Sequence, residues 1–406
     1  MRRVVITGTG LVSSLGNDVA SAYERLKILK NAVKVSDDLK SYKGLQSFLC
    51  STADAFVPPA HYTRKVTRTM GRVSILALAA TEQALTQAGL LNDPIIKQGR
   101  LGIAYGSSSG SVDAIADFYT VIAAHEVKHV TSSTYIKMMP QTTVVNLSVH
   151  FGTTGRLIPT GTACTSGSLA IGNAYEAIKY GLQDVMIAGG AEEFSATQVA
   201  VFDTLFATSR KNDAPHLAPR AFDKDRDGLV IGEGAGTLIL EEREHALARG
   251  ATILAEIVGF GTNTDGRHVT QPNHATMAEA MRLALADAKL APEAIGYVNA
   301  HGTATALGDV AEGTATTAVY SSQTPVSTIK NYIGHTLGAC GAIEAVLSLE
   351  MMRNEWFAPN LNLVTPDEAC GAMNLIMGEG LKKSTQYVAS NNFAFGGVNT
   401  SLIFAR

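Results

Sequence analysis

Apolar positions recur along this chain in two alternating rhythms. Short runs of strand length are VVIT (4–7), LGIAYG (101–106), DVMIAGG (184–190), GAGTLILEE (234–242), the opening of ATILAEIVGFGTNTDG (251–266), IGYVN (295–299) and TSLIFAR (400–406). Between them lie segments with apolar residues at helical spacing: SAYERLKILK (21–30), SILALAATEQALTQAGL (74–90) with a glycine stop, ATMAEAMRLALADAKL (275–290) and GACGAIEAVLSLEMMRN (338–354). REHALARG (243–250) reads as a short helix, and 112–150 as largely helical with interruptions, Pro140 beginning or ending a helix. Residues 31–70 and 203–228 carry neither rhythm and read as irregular. GTGLVSSLGN after the first strand and HGTATALGD after the IGYVN strand read as loops. Strands alternating with helices predict an α/β fold, a mostly parallel sheet covered by helices. GEGAGTLILEE and FGGVNTSLIFAR rhyme, each a glycine turn followed by an apolar strand, which predicts two related halves, 1–250 and 251–406.

Composition narrows the functional classes. With 46% apolar and only 17% charged residues over 406 positions, the chain predicts a large interior and a covered subunit surface. A net charge of −3 gives nucleic acid nothing to bind. No apolar stretch is long enough to span a bilayer, and MRRVVITGTG lacks the apolar core of a signal peptide. Cys50, Cys164, Cys340 and Cys370 are widely spaced without a C-x-x-C pair, which predicts reduced thiols and a cytoplasmic setting. ITGTGLVSSLG does not fit G-x-G-x-x-G, and G-x-x-x-x-G-K-[ST] is absent, so no nucleotide loop is expected.

Cys164 is the centre of the candidate chemistry. In GRLIPTGTACTSGSLAIGNAYEAIKYG it follows a small, glycine-rich approach and precedes a helix that stops at Gly181. A buried cysteine is ordinarily a small hydrophobe. Here the Thr, Ala, Ser and Gly neighbours leave room for a substrate, and a helix N-terminus lowers a thiol pKa and offers N–H donors to an oxyanion. His301 in NAHGTATALGD and His335 in KNYIGHTLGACGAIE each sit in a glycine-bracketed segment. Two neutral imidazoles donating Nε2–H to one oxygen would hold an enolate, such as loss of CO2 from a malonyl thioester produces. Zinc is not expected, because close ligand spacing is missing. Lys330, between an apolar strand and a loop, needs a carboxylate partner if buried, and Glu344, Asp309 and Glu312 are the candidates. Phe395 in NFAFGG, between Ala394 and two glycines, has neighbours too small to trap it and is a candidate gate.

The motifs TACTSG around Cys164, GGAEE (189–193), AFDKDRDGLVIGEGAG (221–236), HGTATALGD (301–309) and Lys330-x4-His335 followed by TLGACGAIE resemble, in order and spacing, the elongating, decarboxylating beta-ketoacyl-[acyl-carrier-protein] synthases of the thiolase superfamily. The resemblance runs end to end. It implies a five-layered αβαβα fold of two pseudo-repeated halves, the first carrying Cys164 as nucleophile and the second carrying His301 and His335. It further implies support from Lys330 and Glu344, gating by Phe395, oxyanion contacts from the backbone N–H groups of Cys164 and Phe395, and an acyl pocket tuned at Ser109. No tightly bound cofactor is implied. Substrates would ride on the phosphopantetheine of an acidic acyl carrier protein, met by a basic patch for which Arg64, Lys65 and Arg68 are candidates. A homodimer is implied, with a heterodimer of related subunits the variant. The sequence departs from the family pattern at Ala304, Ala306, Ala394 and Val398, which leaves open a specialised polyene or polyketide substrate. Rival readings are a non-catalytic chain-length-factor-like partner and a coenzyme A-dependent initiating synthase or thiolase. A thiolase needs a second catalytic cysteine, and neither Cys340 nor Cys370 is convincingly set for that role.

Overall fold

The computed structural model describes residues 1–128 and 130–406; His129, inside the stretch 112–150 read as helical, lies outside the described residues. Two five-stranded units repeat one topology. In the first, β1 (Val4–Ser13), β2 (Leu101–Gly106), β3 (Leu157–Thr160), β4 (Val185–Glu192) and β5 (Gly234–Glu242) lie in the order β3-β2-β4-β5-β1. In the second, β6 (Ala255–Thr264), β7 (Ile295–Asn299), β8 (Pro325–Ser327), β9 (Tyr387–Phe393) and β10 (Val398–Ala405) lie in the order β8-β7-β9-β10-β6. Direction agrees strand for strand. The second strand of each unit is parallel to the third and fourth, and the fifth is antiparallel to the fourth and first. The rhyming segments are β5 and β10, the equivalent last strands. A short antiparallel ladder between β1 and β6 joins the units. The sheet is therefore mixed, where a mostly parallel one was expected. The chain leaves β4 at Glu192 and enters β5 at Gly234, its direct partner, so the link returns at the same end and the strands run opposite ways.

Helices complete five layers, αβαβα. α1 (Arg72–Ala88) covers β1 and β5 on one outer face, and α3 (His274–Ala288) covers β6 and β10 on the other. α2 (Ser166–Lys179) and α4 (Cys340–Arg353) pack on each other between the sheets. α4 is buried continuously from Cys340 to Leu349, Glu344 and Ser348 included, because it is packed on every side. α1 ends as its sequence predicts, with Gly89 at φ +70° closing the helix through its N–H to the Leu85 and Thr86 carbonyls.

The inner helices meet at their N-termini almost backbone to backbone. A methyl group at Gly341 would stand 2.7 Å from the Ser168 nitrogen, and one at Gly167 would stand 3.0 Å from the Ala342 nitrogen. A 3₁₀ turn precedes each helix, Ala163–Thr165 before α2 and Leu337–Ala339 before α4. Each turn opens on a non-glycine residue in the left-handed region, Ala163 at φ +49° and Leu337 at φ +45°. Such backbone strain costs about 1–3 kcal/mol per residue and persists only where the surroundings enforce it.

Several elements differ from the sequence reading. β1 runs on through the glycines of GTG, where a turn was expected. Gly8 and Gly10 lie beneath α1, and a Cβ there would be 2.1 Å and 1.9 Å from the Ala84 and Ala80 carbonyl oxygens, so these glycines serve close packing. The glycine-spaced segment after His301 gives way to a helix, Ala306–Val319, with Thr305 at its N-cap. β8 is the apolar strand expected before Lys330, whereas the short strand β3, the strand β9 and the helix Ala196–Thr204 have no counterpart in the sequence reading. Gly341→Ala is expected to destabilise the protein by about 1–3 kcal/mol, and Gly167→Ala by less, in denaturant melts followed by circular dichroism.

Candidate active site

Cys164 lies in the turn before α2 and is 5% exposed. His335 comes from the segment before α4. Its backbone is clamped to the first half, its N–H donating to the Val230 carbonyl and its carbonyl accepting from Gly232. His301 follows β7, with its own N–H and that of Gly302 held by the Glu312 carboxylate at 2.6 and 2.7 Å. Sequentially remote, the three side chains converge: Cys164 Sγ and a ring nitrogen from each histidine lie within 4.8 Å of one another. The imidazole centroids are 5.2 Å apart, edge to face.

The hydrogen bonds fix which ring nitrogens carry protons. His335 Nδ1 accepts the Leu337 backbone N–H at 3.3 Å, so Nε2 bears the proton and donates to Cys164 Sγ at 3.0 Å. His301 Nδ1 faces the Lys330 ammonium at 3.2 Å, which leaves Nε2–H to the cavity. Lys330, 1% exposed, is ion-paired to Glu344, whose other oxygen accepts from Asn392 at 2.7 Å and Asn299 at 3.3 Å. Burial and then the Lys330 charge hold both histidines well below the ordinary imidazole range. Both are neutral N–H donors. The lone pairs a metal would use are turned to Leu337 and Lys330, so the trio suits an anionic oxygen better than a cation.

The thiol corrects an expectation. A helix N-terminus was expected to lower the Cys164 pKa, but burial pushes it up to about 12, against the Lys330 charge and the backbone N–H groups of Phe395 and of Cys164 itself. The sequence displays the helix end; it does not display how completely the sulfur is shut away. Those two N–H groups, aimed at the sulfur from separate segments, are the ones expected to hold an oxyanion.

The cavity over the sulfur measures about 350 Å³ and is lined by His301, His335, Phe393, Phe395 and Phe202 among others. The Phe395 ring packs on Phe202 at 5.2 Å between centroids, on a loop whose Gly396 and Gly397 have φ of +84° and +72°. Asp309 does not line this cavity and fastens the motif loops, accepting from Phe222 at 2.7 Å and Ala304 at 3.0 Å. Glu312 is buried behind His301, its carboxyl pushed up to about 8 by burial. Ser109 does not line this cavity; its hydroxyl donates to the buried Glu192 at 3.3 Å and faces the Gln198 amide at 3.4 Å. Arg64, Lys65 and Arg68 are all exposed, at a short helix Arg64–Thr67. Of the other cysteines, Cys340 donates its thiol to the Cys164 carbonyl at 3.1 Å, and Cys370 is buried under Gly313 outside the cavity. Sequence reasoning missed Asn299 and Asn392. Asn299 closes the apolar strand β7, and that placement was the available signal, whereas Asn392 lies in a polar Ser-Asn-Asn run of β9 that carried none.

Models of the beta-ketoacyl synthase N-terminal domain and C-terminal domain match residues 1–246 and 254–364. The chain is 37% identical over 409 residues to 3-oxoacyl-[acyl-carrier-protein] synthase 1 of Haemophilus influenzae and 38% identical over 418 residues to 3-oxoacyl-[acyl-carrier-protein] synthase 2 of Vibrio cholerae, covering 100% of this chain and 99% of each relative. The crystal structure of a beta-ketoacyl synthase from Burkholderia phymatum superposes with a TM-score of 0.98 at 55% identity, covering 100% of both chains. The ishigamide ketosynthase/chain length factor superposes with a TM-score of 0.89 at 28% identity, over 100% of this chain and 99% of its own.

The site's electrostatics predict its response to substitution and to pH. Glu344→Ala, which strands a buried ammonium, is expected to destabilise the protein by about 3–5 kcal/mol in denaturant melts. Iodoacetamide labelling of Cys164, followed by mass spectrometry, is expected to keep accelerating from pH 8 to pH 10 without a plateau, because the thiol titrates near 12. Lys330→Ala is expected to slow that labelling by removing the charge that favours the thiolate.

Proposed function

The chain belongs to the beta-ketoacyl synthase family, and from that premise we propose that it elongates carrier-bound acyl chains by decarboxylative Claisen condensation. The observation that carries the reading is the convergence of one buried sulfur, two neutral imidazole N–H groups and two backbone N–H groups on a single small volume. In the first half-reaction Cys164 Sγ attacks a carrier thioester, the backbone N–H groups of Cys164 and Phe395 hold the oxyanion, and the carrier leaves as its thiol. The ring nitrogens that could take the thiol proton already accept from Leu337 and Lys330, so that proton passes to the departing carrier sulfur. In the second, malonyl carrier protein loses CO2 while the Nε2–H groups of His301 and His335 bind the enolate oxygen. Its carbon attacks the acyl–Cys164 carbonyl, releasing a 3-oxoacyl carrier protein two carbons longer and a Cys164 thiolate that takes a proton from water. No step calls on a bound cofactor.

The acidic carrier would meet Arg64, Lys65 and Arg68 by charge complementarity. A second copy, or a related subunit, would cover the helix Val112–Ala124, where Ile115, Tyr119 and Ile122 are 40%, 67% and 73% exposed. A cytoplasmic location accords with four unpaired, buried cysteines. The intact nucleophile and histidines speak against a non-catalytic partner subunit. Cys370, outside the cavity, speaks against a degradative thiolase.

Incubation with acyl carrier protein charged with a medium-chain acyl group is expected to add the acyl mass to Cys164, and Cys164→Ala to abolish both this adduct and condensation. His301→Ala and His335→Ala are expected to retain the adduct and lose condensation by at least about a hundredfold. No adduct on the wild-type protein would refute the reading, and an adduct formed from acyl-coenzyme A alone would move it to the initiating class.

A further inference from the structure

The GGAEE motif carries a buried carboxylate, Glu192, that the chemistry above leaves without a role. Glu192, fully buried at the end of β4, turns one oxygen, Oε2, to two backbone N–H groups, Ser108 at 2.9 Å and Gly338 at 2.9 Å. Its other oxygen accepts the hydroxyls of Ser109 at 3.3 Å and Ser107 at 3.4 Å. Ser108 follows β2 in the first half, whereas Gly338 belongs to the second half, three residues beyond His335. One carboxylate thus ties the two halves together beside the reacting sulfur.

Gly338 is the next residue after Leu337, whose N–H sets the His335 tautomer and whose φ of +45° has to be enforced from outside. The fit leaves no slack: a Cβ on Gly338 would stand 2.6 Å from the Ser108 nitrogen and 2.8 Å from Glu192 Oε2. We propose that Glu192 is a positioning residue for the condensation, holding the Leu337–Gly338 peptide so that His335 keeps its proton on Nε2 and aims it at Cys164. Burial pushes the Glu192 carboxyl up to about 7, with Glu193 adding to the rise; what its four donors require is an acceptor oxygen within reach. The proposal rests on the condensation reading for its kinetic readout, and on geometry alone for its labelling readout.

Replacement chemistry separates reach from charge. Glu192→Gln keeps an oxygen for both backbone N–H groups and turns its amide to the serine hydroxyls, which can accept. Glu192→Asp keeps the charge but falls a methylene short, and Glu192→Leu removes the acceptor. With acyl- and malonyl-charged carrier protein, the Gln variant is expected to keep kcat within about tenfold of wild type, while Asp and Leu lose about a hundredfold with KM within about threefold. Iodoacetamide labelling of Cys164 at fixed pH, which needs no substrate, is expected to follow the same order, Gln faster than Asp and Leu. Asp equal to or better than Gln in both assays, or Leu at the wild-type rate, would overturn the proposal. Should Leu fail to fold, the Gln–Asp comparison decides alone. If wild-type protein does not condense at all, the functional reading has failed, and the labelling order still judges Glu192.

Discussion

The site depends on the crossing of two inner helices at a distance that only small residues allow. Gly167 and Ser168 on α2 face Gly341 and Ala342 on α4, with no side chain of any size between the backbones. Because the crossing falls at both N-termini, it gathers into one volume the turns that precede the helices and the unpaired N–H groups that every helix start exposes. Cys164 sits in one turn, and His335 enters from just before the other. A bulkier crossing would move the sulfur and the imidazole apart by the same few tenths of an ångström that separate a hydrogen bond from a gap.

The crossing also shows how one duplicated unit came to do two jobs. Ala163 and Leu337 occupy equivalent places, share the left-handed backbone and open equivalent turns. The residues next in the chain differ. After Ala163 comes the nucleophile, its own N–H turned towards the sulfur. After Leu337 comes Gly338, its N–H spent on Glu192, while the Leu337 N–H locks a histidine. One half offers the thiol and the other supplies the tautomer, and neither alone is a site.

Much of this arrangement was legible in the sequence, and the gaps have physical causes. Cys164, His301 and His335 stood out because each reactive side chain interrupts a run of small residues after an apolar segment. The Lys330–Glu344 pair could be anticipated because a buried ammonium needs a carboxylate and Glu344 lies on the following helix. The strand rhyme of β5 and β10 disclosed the repeated halves. Burial set the limit of the reading: the thiol was judged by its helix end, and its pKa moves the other way because the sulfur is dehydrated. Asn299 and Asn392 were missed because long-range contacts assign them, and the glycines of GTG were misread because close packing and tight turns demand the same residue. Ser109 was placed by likeness at the acyl pocket, while its hydroxyl is engaged by Glu192.

Three of the four departures from the family pattern fall where the backbone tolerates them. Ala306 is the first residue of its helix, the position where proline is accepted but not required, so its presence in place of proline leaves the helix start intact. Ala394 is not among the left-handed residues, so glycine is dispensable there. Val398 opens β10 and its carbonyl receives the Ala394 N–H, a contact any residue can make. Ala304 does lie at φ +64°, and there the Asp309 carboxylate holds its N–H. None of the four touches the sulfur–imidazole geometry, whereas Ala306 and Ala394 line the cavity and Leu307 beside them stands 66% exposed. Two of the four thus alter the cavity wall while leaving the sulfur and the imidazoles in place, and the other two, Ala304 and Val398, lie outside that wall.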